Sequence, residues 1–159
     1  MKNKFTSKKL ALGAIIAALY VVITVIFAPI SFGYMQVRIS EALTILPLFT
    51  EAAVPGLFIG CILANLLGGA VPLDIIFGSI ATLIGAVLGR TLRSNRWLVP
   101  IPSILSNAII IPLVQRYGYG VNIPYLLTAA YIAVGEFIGC FVLGEILASA
   151  LMKYKDHLE

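Results

Sequence analysis

Apolar residues along this chain fall into long unbroken runs separated by short polar knots, with no sustained alternation of the kind that marks a half-buried strand. A run of about 20 apolar residues is what a helix needs to cross a hydrocarbon core of about 30 Å. The pattern predicts six spans, over 10–28, 37–50, 54–69, 75–92, 97–114 and 124–152. The knots hold the turn formers: Pro29 to Met35 reads as one outer loop and Gln115 to Asn122 as another. The first run follows a basic head and so looks like a secretory signal. It is too long for one and lacks a small-x-small cleavage site before Pro29, so it is read as a span.

The second run departs from the rest. Residues 37–50 provide roughly 20 Å of α-helix, short of the hydrocarbon thickness, and Pro47 removes a backbone hydrogen bond near its end. Short or interrupted spans are where transporters tend to build binding sites. The stretch that opens it, Gln36-Val-Arg-Ile-Ser-Glu-Ala-Leu-Thr-Ile-Leu-Pro47, puts Arg38 and Glu41 one helical turn apart, where they share a face and can pair. Charge near membrane depth is costly and turns toward a polar cavity or a partner.

Small residues recur at four-residue spacing in two runs. Gly56, Gly60, Ala64 and Gly68 predict a face that lies close against a neighbouring helix, with Asn65 beside it. Gly13/Ala17 and Ala14/Ala18 form two overlapping small-xxx-small pairs, suited to packing inside the bundle or onto another protein. Pro72 and Asp74 start the fourth run, Asp74 where a helix dipole is positive, a structural position before it is a ligand contact.

Composition confirms the class. With 60% hydrophobic residues, 11% charged and a mean hydropathy of +1.03, a water-soluble domain is excluded. The expected fold is an all-α membrane protein, one domain over 1–159, in the cell membrane. Alternating spans put both termini on one side, and charge says which. Nine of the 11 basic residues (Lys2, Lys4, Lys8, Lys9, Arg90, Arg93, Arg96, Lys153 and Lys155) lie on the predicted inner side, leaving Arg38 and Arg116 outside. The net charge of +4 follows from this topology and implies no nucleic acid.

Several chemistries are missing. No Gly-rich loop ends in Lys-Ser or Lys-Thr, lysine occurs only in the two tails, and the lone His157 lies in the tail. Cys61 and Cys140 fall inside spans, as small apolar residues rather than a disulfide or metal site. No catalytic site, metal or cofactor is expected, and any ATP-driven step needs other subunits.

Arg38, Glu41, Asn65, Ser79, Ser106, Asn107 and Tyr131 fall in the predicted outer half, and Glu136 lies near the midplane. A chamber open to the outside and walled by apolar helices follows. Structural readings stand beside this one: an interfacial ion pair for Arg38 and Glu41, an interhelical hydrogen bond for Asn65, an interface aromatic for Tyr131. Glu136 is the strongest candidate, because burying a carboxylate at that depth costs about 2.5 kcal/mol or more. Glu145, deeper on the same helix, could serve a relay or a cytoplasmic partner.

Taken with Gly-Leu-Phe-Ile-Gly-Cys-Ile-Leu-Ala-Asn-Leu (56–66) and Leu-Asp-Ile-Ile-Phe-Gly-Ser-Ile-Ala-Thr-Leu (73–83), the stretch from Gln36 to Pro47 resembles the queuosine-precursor transporter (QueT) family over nearly the whole chain. The resemblance implies the substrate-binding S component of an energy-coupling-factor transporter, with six helices, cytoplasmic termini and a pocket near the outer face. It also implies partners: a transmembrane coupling subunit with two ATPase subunits, onto which the first helix docks through small residues such as Ala14 and Ala18.

The substrate so implied, queuine or a 7-aminomethyl-7-deazaguanine, has a guanine-like edge whose adjacent N–H donors one carboxylate accepts in two hydrogen bonds. Glu136 or Glu41 suits that role. Asn65 and Asn107 offer a donor and an acceptor to the opposite edge, while Tyr131, Tyr34 or Phe77 could stack on the ring. An amine on the precursor would gain from a second carboxylate, with Arg38 holding Glu41. Two other functions remain open: an S component for another vitamin-like solute, and a stand-alone small channel or proton-coupled carrier using Glu136 and Glu145.

Overall fold

Residues 7–33 and 36–155 are described by the computed structural model, and they contain helices and turns but no strand. The main elements are α1 (Ser7–Ile26), the 3-10 helix α2 (Ile39–Leu48), α3 (Ala53–Leu67), α4 (Asp74–Thr91), α5 (Arg96–Gly118) and α6 (Tyr125–Tyr154). Four of them, α1, α4, α5 and α6, are long and apolar enough to cross a membrane, whereas α2 and α3 are shorter apolar helices. With its outward faces carrying Leu, Ile, Val and Phe, the chain is a multi-pass membrane protein.

The observed boundaries have local causes. α3 ends at Leu67, two residues short of the expected limit, because Gly69 takes a positive φ of 72° that stops the helix. α2 is wound as 3-10 over all ten residues, Pro47 included. At about 2.0 Å of rise per residue this spans roughly 20 Å, so the tighter winding recovers the reach a short α-helix would lose. Thr44 assists by donating its hydroxyl to the Glu41 carbonyl at 2.6 Å. α4 and α6 were expected as uninterrupted α-helices but each contains a π segment, Asp74–Gly78 and Phe137–Leu143.

Long-range contacts gather the element ends at two poles. At one pole the start of α1 meets the segment after α2 and the end of α4, where Lys9, Glu51, Arg90 and Arg93 line a polar cavity of about 260 Å³. Lys9 pairs with Glu51, whose carboxyl is held below the usual range chiefly by this hydrogen bond. Arg96 at the start of α5 donates to Glu145 of α6 at 2.7 Å. At the other pole Phe32 and Gln36 approach Gln115 and Tyr119 at the end of α5.

Close packing of α1 on α3 fixes the middle of the bundle. A Cβ on Gly56 would lie 2.7 Å from the Gly13 carbonyl oxygen, and one on Gly60 would lie 2.9 Å from the Tyr20 Cβ. The stripe of small residues on α3 therefore meets Gly13, Ala17 and Tyr20. Ala14 and Ala18, on the neighbouring face of α1, remain exposed. Tyr20, Ile45, Phe49, Leu57 and Cys61 are fully buried where α1, α2 and α3 converge.

Candidate functional site

Polar side chains concentrate in the upper middle of the bundle, between the Phe32–Tyr119 pole and the apolar core. Arg38 enters just before α2, where its backbone is extended. Its Nε donates to the Ser31 carbonyl at 3.3 Å, and its guanidinium stacks over Phe32 at 5.3 Å. Its ion partner is not Glu41, as the helical spacing suggested, but Asp74 of α4, with Nη2 and Oδ2 3.7 Å apart. The extended backbone at Arg38 explains the difference, since residues three apart share a face only within a helix.

Asp74 is fully buried and opens the π segment of α4. Tyr119 donates its hydroxyl to Asp74 Oδ2 at 2.8 Å. Burial, then the negative charge of Asp74, push the Tyr119 phenol up to about 12, so it remains a proton donor at any physiological pH. Asn65 donates to the Asp74 carbonyl at 3.2 Å. Gly78 permits the arrangement: a Cβ there would stand 2.7 Å from Asp74 Oδ1 and 3.3 Å from Asn65 Nδ2.

Glu41 turns the other way, toward α1 and α6. It accepts a hydrogen bond from Tyr20, and it faces Glu136 across Cys140. The Cys140 thiol lies 3.0 Å from Glu136 Oε2 and 3.8 Å from Glu41 Oε2. One oxygen of each carboxylate and the sulfur lie within 4.8 Å of one another. Glu136 stands at the junction of α-helix and π segment, and Gly139 lets α6 settle directly on the Arg38 backbone. A Cβ on Gly139 would be 2.7 Å from the Arg38 carbonyl oxygen. Asn107 reaches toward Glu136 from α5, but its Nδ2 makes no hydrogen bond.

Above these groups lies a cavity of about 270 Å³, lined by Phe32, Gly33, Gln36, Gln115, Tyr119 and Val121. Gln36 holds a left-handed φ of 45°, uncommon for a residue with a Cβ, and so marks a constrained bend at the cavity wall. Tyr119 and Phe32 are shared by cavity and cluster, so the cavity stands directly over the Arg38–Asp74 pair.

Of the residues singled out from sequence, Arg38, Glu41, Asn65, Asn107 and Glu136 are all buried in this region. Tyr131 is not brought to it: the residue is 39% exposed on the outer face of α6. Phe77 likewise lines an outward apolar groove between α4 and α5. Tyr34 lies outside the described residues. Of the four small residues of α1, Gly13 and Ala17 are buried on α3, while all four border an apolar groove of about 360 Å³ with Pro55, Gly56 and Ile59. Glu145 is tied to Arg96 at the opposite pole.

Sequence reasoning missed Asp74 as a partner, Cys140 as a polar group, and Gln36, Gln115 and Tyr119 as cavity walls. The signal for Asp74 was available: a buried arginine in the outer half needs a counter-ion, and Asp74 is the acid at the matching end of a neighbouring span.

Comparison with known proteins gives a consistent picture. The family model described as QueT transporter matches residues 10–153. The queuosine precursor transporter QueT of Lactococcus lactis subsp. cremoris (strain MG1363) is 29% identical over 156 residues, covering 90% of this chain and 91% of that protein. No solved structure matches the chain.

Proposed function

The chain belongs to the QueT transporter family, and from that membership we propose that it is the substrate-binding S component of an energy-coupling-factor uptake system. In this reading it captures a queuosine precursor of the 7-deazaguanine type at the outer face of the cell membrane. Six crossings, with both termini in the cytoplasm, put the cavity beneath Gln36 and Tyr119 outside and the basic pole inside, in keeping with the positive-inside rule. A transmembrane coupling subunit and two ATPase subunits drive release.

The observation that carries the proposal is the polar cluster of Arg38, Glu41, Asn65, Asp74, Asn107 and Glu136, sealed within an apolar bundle directly under a cavity at one pole. Its free hydrogen-bonding atoms suit a guanine-like edge. Arg38 Nη2 and Asn107 Nδ2 are buried donors without a hydrogen bond, and Asp74 Oδ1 and Asn65 Oδ1 are buried acceptors without one. A ring that presents a carbonyl acceptor beside N–H donors answers both kinds, and such sites reject analogues that leave polar groups unpaired. Phe32 and Tyr119 take the stacking role first given to Tyr131. Because the cluster is closed, the roof of Phe32, Gln36 and Tyr119 has to move for a ligand to reach it.

Two features support dependence on partners. The exposed Ala14 and Ala18 leave a close-packing face of α1 open toward a second membrane protein. Glu145, bound to Arg96, makes no contact with Glu136 that would form a proton relay through α6.

The test is equilibrium binding by calorimetry of the purified chain in detergent, with queuine, 7-aminomethyl-7-deazaguanine and a panel of vitamins. Vesicle uptake by the chain alone is measured alongside. Deazaguanine binding at micromolar Kd or tighter, without uptake, is expected. A vitamin bound in preference to every deazaguanine would overturn the substrate, and uptake by the chain alone would overturn the S-component role.

A further inference from the structure

We propose that the Glu41–Glu136 pair is an ammonium site, and that the protein therefore selects precursors carrying a protonated amine over neutral deazaguanines. The inference rests on the deazaguanine reading above and adds the chemical class of the side arm.

Charge distribution is the first argument. Among the described residues, Arg38 is the basic group of the cluster, and its ion partner is Asp74. No basic side chain among them forms an ion pair with Glu41 or Glu136. These acids are 1% and 2% exposed, yet the groups that bridge or flank them are neutral: the Tyr20 hydroxyl, the Cys140 thiol and the Asn107 amide. A thiol is a weak donor and does not neutralise a carboxylate. Two buried acids without a counter-charge are costly, and a cationic ligand removes that cost as it binds.

Geometry is the second. Two carboxylate oxygens no more than 4.8 Å apart can both be reached by one nitrogen at a charge-assisted distance of roughly 2.8 Å. That spacing is too narrow to hold both ends of a deazaguanine, so the two acids act on one group. A primary ammonium offers three N–H donors and a full charge to that point. The buried Asn107 amide, unbonded and directed at Glu136, is an independent sign that the hydrogen bonding here is incomplete. The ring edge is then left to Arg38, Asp74 and Asn65.

The test compares two ligands that differ only in the amine. Wild-type protein in detergent is titrated with 7-aminomethyl-7-deazaguanine and with 7-methyl-7-deazaguanine. The amine is expected to bind at least 100-fold tighter, and that preference is expected to fall below fivefold in a Glu41→Gln/Glu136→Gln double variant of unaltered thermal unfolding. Equal affinities in the wild-type protein overturn the ammonium site and leave the deazaguanine reading standing, and this comparison needs no variant to fold. Binding of neither ligand overturns both. Titration with Mn2+ or Zn2+ alone addresses the competing cation: micromolar metal binding lost in Glu136→Gln makes this a metal site and overturns the proposal.

Discussion

Asp74 and Glu136 are two buried acids set at π segments of different helices, each close to a glycine that allows tight approach, and they end in opposite electrostatic states. Asp74 has a guanidinium at 3.7 Å and a tyrosine hydroxyl at 2.8 Å. Glu136 has a thiol at 3.0 Å and a second carboxylate beyond it. The first acid is compensated and ties the end of α4 to the chain entering α2 and to the end of α5. The second is left with chemistry to spare. Similar backbone devices thus yield a brace in one place and a receptor in the other, and the difference lies in what faces each acid across the bundle.

Breaking the brace gives the largest expected effect. Arg38→Ala leaves Asp74 as a buried charge without its counter-ion, which costs about 3–5 kcal/mol. Chemical unfolding in detergent measures it. A variant as stable as the parent would mean that the Arg38–Asp74 pair does not hold the helices together.

Glycine substitutions sharpen the contrast between the two π segments. Gly139→Ala drives a Cβ against the Arg38 backbone carbonyl, which cannot swing aside, whereas Gly78→Ala meets the Asp74 carboxylate, which can rotate. Overpacking of the first kind costs about 1–3 kcal/mol, and the second is expected to cost less. Thermal unfolding of the two variants side by side decides the order. If Gly78→Ala is the more damaging, α6 is not seated on the Arg38 backbone as closely as described.

The receptor is probed by Glu136→Gln. Affinity for 7-aminomethyl-7-deazaguanine is expected to fall more than tenfold, about 1.4 kcal/mol, with no loss of fold stability because the acid has no ion partner to lose. The paired control is Asp74→Asn, which should destabilise the fold. An unchanged dissociation constant for Glu136→Gln removes this residue from the site, and equal stability losses for both variants erase the distinction between brace and receptor.

Much of this arrangement was legible in the sequence, and the part that was not has a definite cause. Apolar run length located every main helix, and the four-residue spacing of Gly56, Gly60 and Ala64 foretold the α1–α3 seam, because both depend on local composition. The burial of Arg38, Glu41, Asn65, Asn107 and Glu136 was legible for the same reason: polar residues inside apolar runs have few places to go. Partner choice was not legible. Helical spacing joined Arg38 to Glu41, but the backbone is extended at Arg38, and the two side chains diverge to helices α4 and α6. Nor does periodicity report on a π segment, which inserts one residue and rotates everything after it, so Tyr131 and Glu136 come to lie on different sides of α6 than a continuous α-helix would suggest.

The smallest expected effect belongs to Tyr119, the residue that joins cavity to brace. Tyr119→Phe removes a donor to Asp74 while leaving Arg38 in place, so a loss of about 1 kcal/mol is expected. The pH dependence identifies the bond. The Tyr119 phenol is raised to about 12 in the folded protein, against about 10 for an ordinary tyrosine. A group with a raised folded value contributes its stability in full below its unfolded value and loses it as pH climbs through the folded one. The wild-type protein is therefore expected to lose this increment between about pH 10 and pH 12, and the Phe variant to lack that step. Parallel alkaline profiles for the two proteins would show that Tyr119 does not donate to Asp74, and the cavity would then be uncoupled from the pair beneath it.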